Sequence, residues 1–472
     1  MCRYDYLIID IGSTYTKQRL FKDCELMATV QSPTTVENVY KGIKAGQDII
    51  KETLKESRIE AKHVLASSSA AGGLRMVAMG YMTRVTAKAA KEVAMNSGSK
   101  ILEIVSNENL PEYRIQILKE INPDIILLAG GTDFGDESSI IENASLIVES
   151  GVKGVVVIAG NINAQAEVAK ILKAGNVAHL RVPNIMPTIH KLRVKEAREA
   201  IHREFIKQIT KAQGLSILQE EITNDKIIPT PGAVLMASEL LAKGTYLEKG
   251  IGEIIVVDLG GATTDIHSVI PGYANLEDEE IGLIVSNEKQ MSYRTVEGNL
   301  GMRISAMGVL DTVSPRAIFH KRGIKDEELL EEFTQYCMEI EKTPRRIAEN
   351  EKEYMFDTFI AETAVEVALK RHAGFISTVA DPITGIMPGM PIGRDLRNVN
   401  TIIGVGGIFS HRDPSEGKEI IKNALKDKGI SLLPNEPKII IDENYILYTG
   451  GLISQVDEDY AFQVLKNSFN LK

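Results

Sequence analysis

Two aspartates, Asp10 and Asp258, each end a short β-branched run and open a glycine-containing turn rich in hydroxyls. The first run reads Leu7-Ile8-Ile9-Asp10-Ile11-Gly12-Ser13-Thr14-Tyr15-Thr16-Lys17. The second reads Ile255-Val256-Val257-Asp258-Leu259-Gly260-Gly261-Ala262-Thr263-Thr264-Asp265-Ile266. A turn without bulky Cβ atoms lets backbone amides approach an anion, and Ser or Thr hydroxyls add donors. Gly12, Ser13, Thr14, Thr16, Gly260, Gly261, Thr263 and Thr264 are therefore candidate phosphate ligands. A carboxylate at the strand end is suited to a hydrated divalent cation, which takes oxygen ligands and keeps its waters. Asp10 and Asp258 are the candidates for holding Mg²⁺ through water. Lys17 would neutralise charge developing on a transferred phosphoryl group. Two such hairpins facing each other would grip a nucleotide polyphosphate between two lobes.

A third element, Ile402-Ile403-Gly404-Val405-Gly406-Gly407, is a strand ending in paired glycines. Gly404, Gly406 and Gly407 suit close backbone approach to a flat group such as adenosine, or alternatively a tight strand-to-helix turn. Other features have two readings. Arg294 and Arg303 flank a glycine-containing stretch and read either as phosphate or partner contacts or as surface charges. Lys370 and Arg371 end a helix where they would flank adenine or face the helix C-terminus. Gly130-Gly131 follows a strand in a βα unit and reads either as facing a nucleotide or, since G-x-G-x-x-G is absent, as a packing turn. Asp265-Ile266-His267 begins like an Asp-x-His-x-x-Gly loop, but Ile270 stands where the glycine is needed, so His267 reads as structural. No G-x-x-x-x-G-K-[ST] loop occurs.

The elements that must position these residues follow from periodicity. A hairpin and its continuation cover 4–30, a helix 36–56, a strand 63–70 and a helix 83–96. From Asp124 strands and helices alternate: strands at 125–129, 155–159 and 177–182, helices at 139–149 and 164–173. That rhythm implies a parallel sheet covered on both faces. A polar helix follows at 191–213, then one at 233–242, a charged helical stretch at 326–353, an amphipathic helix at 356–372, a strand at 401–405 and a strand-turn at 445–451. The expected architecture is α/β and two-lobed. Residues 1–230 form an N-terminal lobe with an inserted α/β segment at about 120–190, and residues 231–472 a C-terminal lobe.

A chain of 472 residues exceeds what one core usually serves. A net charge of −10 argues against nucleic-acid and membrane-surface partners, which favour a basic face. No apolar run approaches the roughly 18 residues that span a bilayer. The early first strand leaves no room for a signal peptide. Three cysteines without metal-ligand spacing fit a reducing compartment, so a cytoplasmic location is expected.

Two hairpins and a Gly-Gly strand in this order make the chain resemble the actin, Hsp70 and sugar-kinase superfamily of ATPases, whose lobes are ribonuclease H-like. A closer resemblance covers essentially the whole chain. It is carried by Asp10 to Lys17, Ala66-Ser67-Ser68-Ser69-Ala70-Ala71-Gly72-Gly73-Leu74-Arg75-Met76, Leu127 to Asp133, Val257 to Ser268 and Arg294 to Arg303. On these residues the chain is identified as a member of the GlmL/MutL family, accessory proteins encoded with adenosylcobalamin-dependent glutamate mutase. Phe134 departs from the pattern, in which the glycine-rich turn continues. The resemblance implies ATP and Mg²⁺ as cofactors, a slow ATPase, and a glutamate or amino mutase as partner to be reactivated. The same fold also serves small-molecule kinases and nucleotide-gated binding proteins with little turnover.

Overall fold

The computed structural model describes residues 3–471, leaving aside 13–14, 35–38, 70–73, 84–88, 90–92, 94–98, 189–192, 194, 211–221, 223–226, 274–290 and 381–385. In chain order the strands are β1 (Tyr4–Ile11), β2 (Tyr15–Lys22), β3 (Glu25–Pro33), β4 (Ala61–Ser68), β5 (Leu74–Gly80), β6 (Ser99–Ser106), β7 (Ile125–Leu128), β8 (Val155–Ile158), β9 (His179–Arg181) and β10 (Ile227–Pro229). They continue with β11 (Ile254–Leu259), β12 (Thr264–Val269), β13 (Ser292–Glu297), β14 (Phe375–Ile376), β15 (Pro391–Ile392), β16 (Thr401–Val405) and β17 (Lys438–Ile441).

Two sheets share one plan. The first is ordered β10-β4-β1-β2-β3 and the second β17-β16-β11-β12-β13. In each, a three-strand antiparallel meander is extended on one side by two parallel strands. Each sheet is followed directly by a helix, Thr230–Lys243 after β10 and Leu447–Ile453 after β17. This duplicated order is the two-lobed actin-like architecture, α/β with ribonuclease H-like lobes.

Central strands bury both faces, which is why β1 and β11 read as near-continuous β-branched runs. Alternate residues go to different cores. Tyr6, Ile8 and Phe21 of the first sheet share a core with Ile254, Val256 and Ile403 of the second. The Thr230–Lys243, Leu447–Ile453 and Glu458–Phe469 helices fill that core, so the sheets face each other across helices. The Thr230–Lys243 and Leu447–Ile453 helices cross closely: a Cβ on Gly451 would overlap the Ala233 carbonyl oxygen.

The third sheet is all parallel, in the order β6-β5-β7-β8-β9. Its strands run from Leu74, ahead of the expected segment, to Arg181. One face packs with Leu7, Ile9 and Ile11 of the first lobe. The other is covered by the Pro111–Ile121, Ser138–Ser150 and Gln165–Ala174 helices.

Several elements differ from expectation. Residues 445–451 are not a strand-turn: Tyr445 lies in a turn and Leu447–Ile453 is helical. Glycines 450 and 451 lie inside that helix and serve helix crossing, where a Cβ would clash with Leu465 and with the Ala233 carbonyl. The charged stretch at 326–353 is the Glu327–Lys342 helix, with the next helix, Glu351–His372, beginning at its end. Asn350 caps that second helix by accepting from the Glu353 amide. The helix expected at 83–96 lies largely outside the described residues. Among the described residues no helix is long and apolar enough to cross a membrane.

Candidate functional site

Asp10 and Asp258 occupy matched positions at the ends of β1 and β11. Asp10 stands opposite Lys17 across the first hairpin, and Asp258 stands opposite Asp265 across the second. The duplication therefore replaces a cation with an acid at one place. Arg294, on the neighbouring β13, compensates: its Nε and Nη2 donate to Asp265 Oδ1 at 2.9 and 2.5 Å.

Asp10 is buried, and its Oδ1 accepts two hydroxyls, Ser67 Oγ at 2.9 Å and Thr230 Oγ1 at 2.6 Å. Ser67 lies beside it on β4, and Thr230 begins the helix that enters the inter-lobe core. Its Oδ2 lies 3.9 Å from Lys17 Nζ. The Lys17 ammonium also sits 3.3 Å from the centre of the Tyr445 ring. Burial pushes the Lys17 pKa below its ordinary value, while both Asp10 and Asp258 pull it up. The two carboxylates of the two lobes thus act on one ammonium group.

The Asp258 carboxylate accepts no hydrogen bond among the described residues. Burial pushes its pKa up to about 7, the Asp265 carboxylate adds to the rise, and Lys17 opposes it. Behind it, Asp442 accepts the amides of Ile446 and Leu447, both at 2.8 Å, at the start of the Leu447–Ile453 helix. Arg19 Nε donates to the Asn444 carbonyl in the same turn at 3.1 Å. Lys17 and Arg19 of β2 therefore both engage the 442–446 turn of the other lobe.

The remaining expected residues divide. The Gly12 amide donates to the Tyr15 carbonyl, closing the first turn at 3.0 Å. Ser13 and Thr14 lie outside the described residues. Thr16 is fully buried and shares a hydrogen bond with Thr34 at 3.0 Å, so its hydroxyl faces protein. Thr264 is likewise buried and donates to the Leu300 carbonyl at 2.7 Å. Thr263 donates to Asp265 Oδ2 at 3.2 Å. Gly261 is exposed, and its carbonyl accepts from the amides of Arg303 and Ile304 at 2.8 and 2.7 Å. Gly404 faces the core: a Cβ there would lie 2.9 Å from Ile421 and 3.1 Å from Ile441. Gly406 has φ of +125° and lies against the Leu259 carbonyl. Gly407 alone of the three opens onto free space, with nothing within 4 Å of a built Cβ.

Other polar residues have structural partners. Arg303 forks onto Asp357 at 3.0 and 2.8 Å, and Arg294 is held by Asp265. Neither is a surface charge. Lys370 pairs with Glu366 and Asp427, and Arg371 with Glu297. His267 is the exception: it is fully buried with neither ring nitrogen hydrogen-bonded among the described residues, and burial and nearby Arg294 hold its pKa well below the ordinary value. Thr230 and Tyr445 were not anticipated. Each meets the site through tertiary packing that leaves no local motif.

Oxygen donors, an Asp258 carboxylate without a hydrogen bond and the glycine turns suit a hydrated magnesium ion and a polyphosphate. Among the described residues no three His, Cys, Asp or Glu side chains gather as direct metal ligands. A water-mediated ion fits that donor set better than a fully protein-ligated one.

Residues 6–469 match the MutL protein family. The chain belongs to that family. A MutL protein of Clostridium tetanomorphum is 37% identical over 469 residues, covering 98% of both chains. Among solved structures, nucleotide-free acetone carboxylase, described as carrying out ATP-dependent acetone carboxylation, is similar over 64% of this chain at 14% identity and a TM-score of 0.33. This chain spans about half (49%) of that one. An ATP-dependent caprolactamase from Pseudomonas jessenii is similar over 97% of this chain and 70% of its own, at 12% identity and a TM-score of 0.36. In this MutL family member, the fold is read from its duplicated strand order and the family from its sequence.

Proposed function

We propose that this MutL-family chain is an ATP-binding, slowly ATP-hydrolysing factor that reactivates an adenosylcobalamin-dependent glutamate or amino mutase. The observation that carries the ATP part is the Lys17 ammonium, 3.9 Å from Asp10 of its own lobe and raised in pKa by the charge of Asp258 of the other. The mutase part rests on family membership.

In this reading Asp10 and Asp258 hold Mg²⁺ through its waters, and the ion screens the charge of the phosphates. Ser67 and Thr230 fix the Asp10 carboxylate so that its second oxygen stays aimed at the cleft. The Gly261 amide, with the Ser13 and Thr14 hydroxyls, donates to phosphate oxygens. The Gly12 and Gly260 amides, which donate to the Tyr15 and Thr263 carbonyls at 3.0 and 2.9 Å, and the Thr263 hydroxyl, which donates to Asp265, hold the two turns in shape. Lys17 balances negative charge as the terminal phosphoryl group is displaced. Gly407, open to space, lies under adenosine. Nucleotide can move the lobes only through unequal affinity for their closed and open arrangements. Moving a population from 1:99 to 99:1 needs about 5.5 kcal/mol of differential affinity. Contacts from both hairpins to one triphosphate are a source of that difference, and hydrolysis removes it.

The test is phosphate release by the Asp10→Asn, Asp258→Asn double variant, alongside recovery of inactivated glutamate mutase by wild type plus ATP. Loss of both activities in a folded variant is expected. Undiminished phosphate release would refute the assignment.

A further inference from the structure

The inserted sheet, renumbered by its own chain order, runs 2-1-3-4-5. In this doubly wound order the strand sequence reverses between β5 and β7. The connections leaving those strands diverge. Ala89 and Val93 after β5 pack into the core on the first lobe's side, whereas Ile140, Ala144 and Ile147 after β7 pack into the opposite core. Open parallel sheets bind their ligands at such a reversal, outside the carboxyl ends of the strands.

Five large apolar side chains are displayed at that edge. Tyr81 and Met82 follow β5, Leu110 follows β6, Phe134 follows β7 and Ile162 follows β8. Their loops touch: the Asn107 amide donates to the Gly80 carbonyl, and the Ile162 amide to Asp133 Oδ1, at 3.1 and 3.0 Å. Phe134 is 86% exposed and has φ of +62°, a left-handed conformation costly for a bulky side chain.

Nothing that Phe134 itself packs against explains this posture. The backbone around it is clamped instead. The Asp133 amide donates to the Pro187 carbonyl and the Gly135 amide to the Thr132 carbonyl, both at 3.0 Å. Asn161 Nδ2 donates to the carbonyls of Gly135 and Asp136, and Asn184 Nδ2 to Asp133 Oδ1 and the Gly131 carbonyl. A rigid loop therefore presents a strained aromatic ring to solvent, which both strain and hydrophobicity oppose.

Charge selects the occupant. Glu108, Glu112, Asp136 and Glu137 are exposed in the same loops or the helix turn after them, and among the described residues of those segments the one cation, Arg114, is buried and paired with Glu142. These exposed acids disfavour phosphates and nucleotides beside them and favour a basic surface.

We propose that this edge, centred on Phe134, docks a protein partner offering an apolar pocket ringed by basic side chains. This rests on the function proposed above, which makes the partner the adenosylcobalamin-dependent mutase. Phe134 is the anchor, since buried aromatics dominate such interfaces. The acidic rim sets orientation and association rate.

The experiment measures binding of the full-length protein to purified glutamate mutase holoenzyme, with ATP and Mg²⁺, by isothermal titration calorimetry. Phe134→Gly is the informative variant, because glycine accepts φ of +62° without strain. Its melting temperature and ATP affinity should equal or exceed wild type, while mutase affinity falls about 10-fold or more. Glu137→Lys should weaken binding and flatten its salt dependence. Unchanged mutase affinity in Phe134→Gly would overturn the surface and leave the proposed function standing. No binding by wild type, with ATP binding intact, would overturn both. ATP protecting residues 129–137 from hydrogen exchange in the Asp10→Asn, Asp258→Asn variant would replace the protein partner with a small-molecule pocket.

Discussion

Lys17 of the first lobe rests its ammonium 3.3 Å from the centre of the Tyr445 ring of the second. Tyr445 belongs to the turn between Asp442 and the Leu447–Ile453 helix, and Arg19 holds the same turn through the Asn444 carbonyl. In the proposed mechanism the ring and a bound phosphate would compete for one cation, and Lys17 would have to leave Tyr445 in order to serve a nucleotide. A desolvated cation–π contact contributes about 1–2 kcal/mol. Tyr445→Leu, which removes the competitor, is therefore expected to tighten ATP binding roughly 5- to 30-fold. Tyr445→Phe keeps the π face and should bind like wild type. Calorimetric titration with ATP checks both; equal or weaker binding by Tyr445→Leu would show that the ring does not compete.

Asp10 has a structural duty besides its proposed chemical one. Its Oδ1 is the acceptor for two buried hydroxyls, Ser67 and Thr230. Alanine at position 10 strands both donors, at about 1–3 kcal/mol each. Asparagine retains the accepting oxygen. Asp10→Ala should lose roughly 2–6 kcal/mol in urea denaturation, with Asp10→Asn losing the smaller share, though both lose phosphate release. Equal stability of the two variants would mean that the hydroxyls find other partners.

What could be read from sequence was what local chemistry encodes. Asp10 and Asp258 stood out because a β-branched strand, an acid and a glycine turn are contiguous. The partners of Asp10 did not, since Ser67 and Thr230 lie 57 and 220 residues away. Strand β13 is half-buried along its whole length and β3 carries exposed polar residues, so neither gives a clean apolar run. Glycines misled in a consistent way. Gly404 and Gly451 suggest ligand approach or a turn, yet both are small because neighbouring protein occupies the place of a side chain. The two aspartates needed only the chain; their convergence on Lys17 needed the duplicated sheets to face each other.

The elevated Asp258 pKa makes a signed prediction. The carboxyl is harder to ionise in the folded protein, about 7, than at its ordinary value of 3.8. Between about pH 4 and pH 7 the folded state keeps a proton that the unfolded chain has released. Stability therefore falls as pH rises through that window and levels off above it. The magnitude is on the order of 4 kcal/mol, since each tenfold difference in proton affinity is worth about 1.36 kcal/mol. Asp258→Asn carries no such charge. Measured in EDTA without nucleotide, the variant should match wild type near pH 4 and exceed it increasingly up to pH 7. A stability difference that does not vary with pH would show that Asp258 ionises normally.

Glycine-to-alanine substitutions separate binding from packing at the paired glycines. At Gly407 a built Cβ meets nothing within 4 Å, so the added methyl costs the fold little. If adenosine lies there, the methyl stands where the ligand must approach. Gly407→Ala should therefore unfold within about 0.5 kcal/mol of wild type yet bind ATP about 10-fold or more weakly. Gly404→Ala drives a methyl against Ile421 and Ile441, and Gly451→Ala drives one into the Ala233 carbonyl where the two inter-lobe helices cross. Overpacking of this kind costs about 1–3 kcal/mol or more, with the larger loss expected at Gly451, where rigid backbone rather than a side-chain tip blocks the methyl. Urea denaturation and ATP titration on the same three variants decide the matter. Full ATP affinity in Gly407→Ala would move the adenosine away from the β16 turn, because no other consequence of that methyl could hide a clash with the ligand.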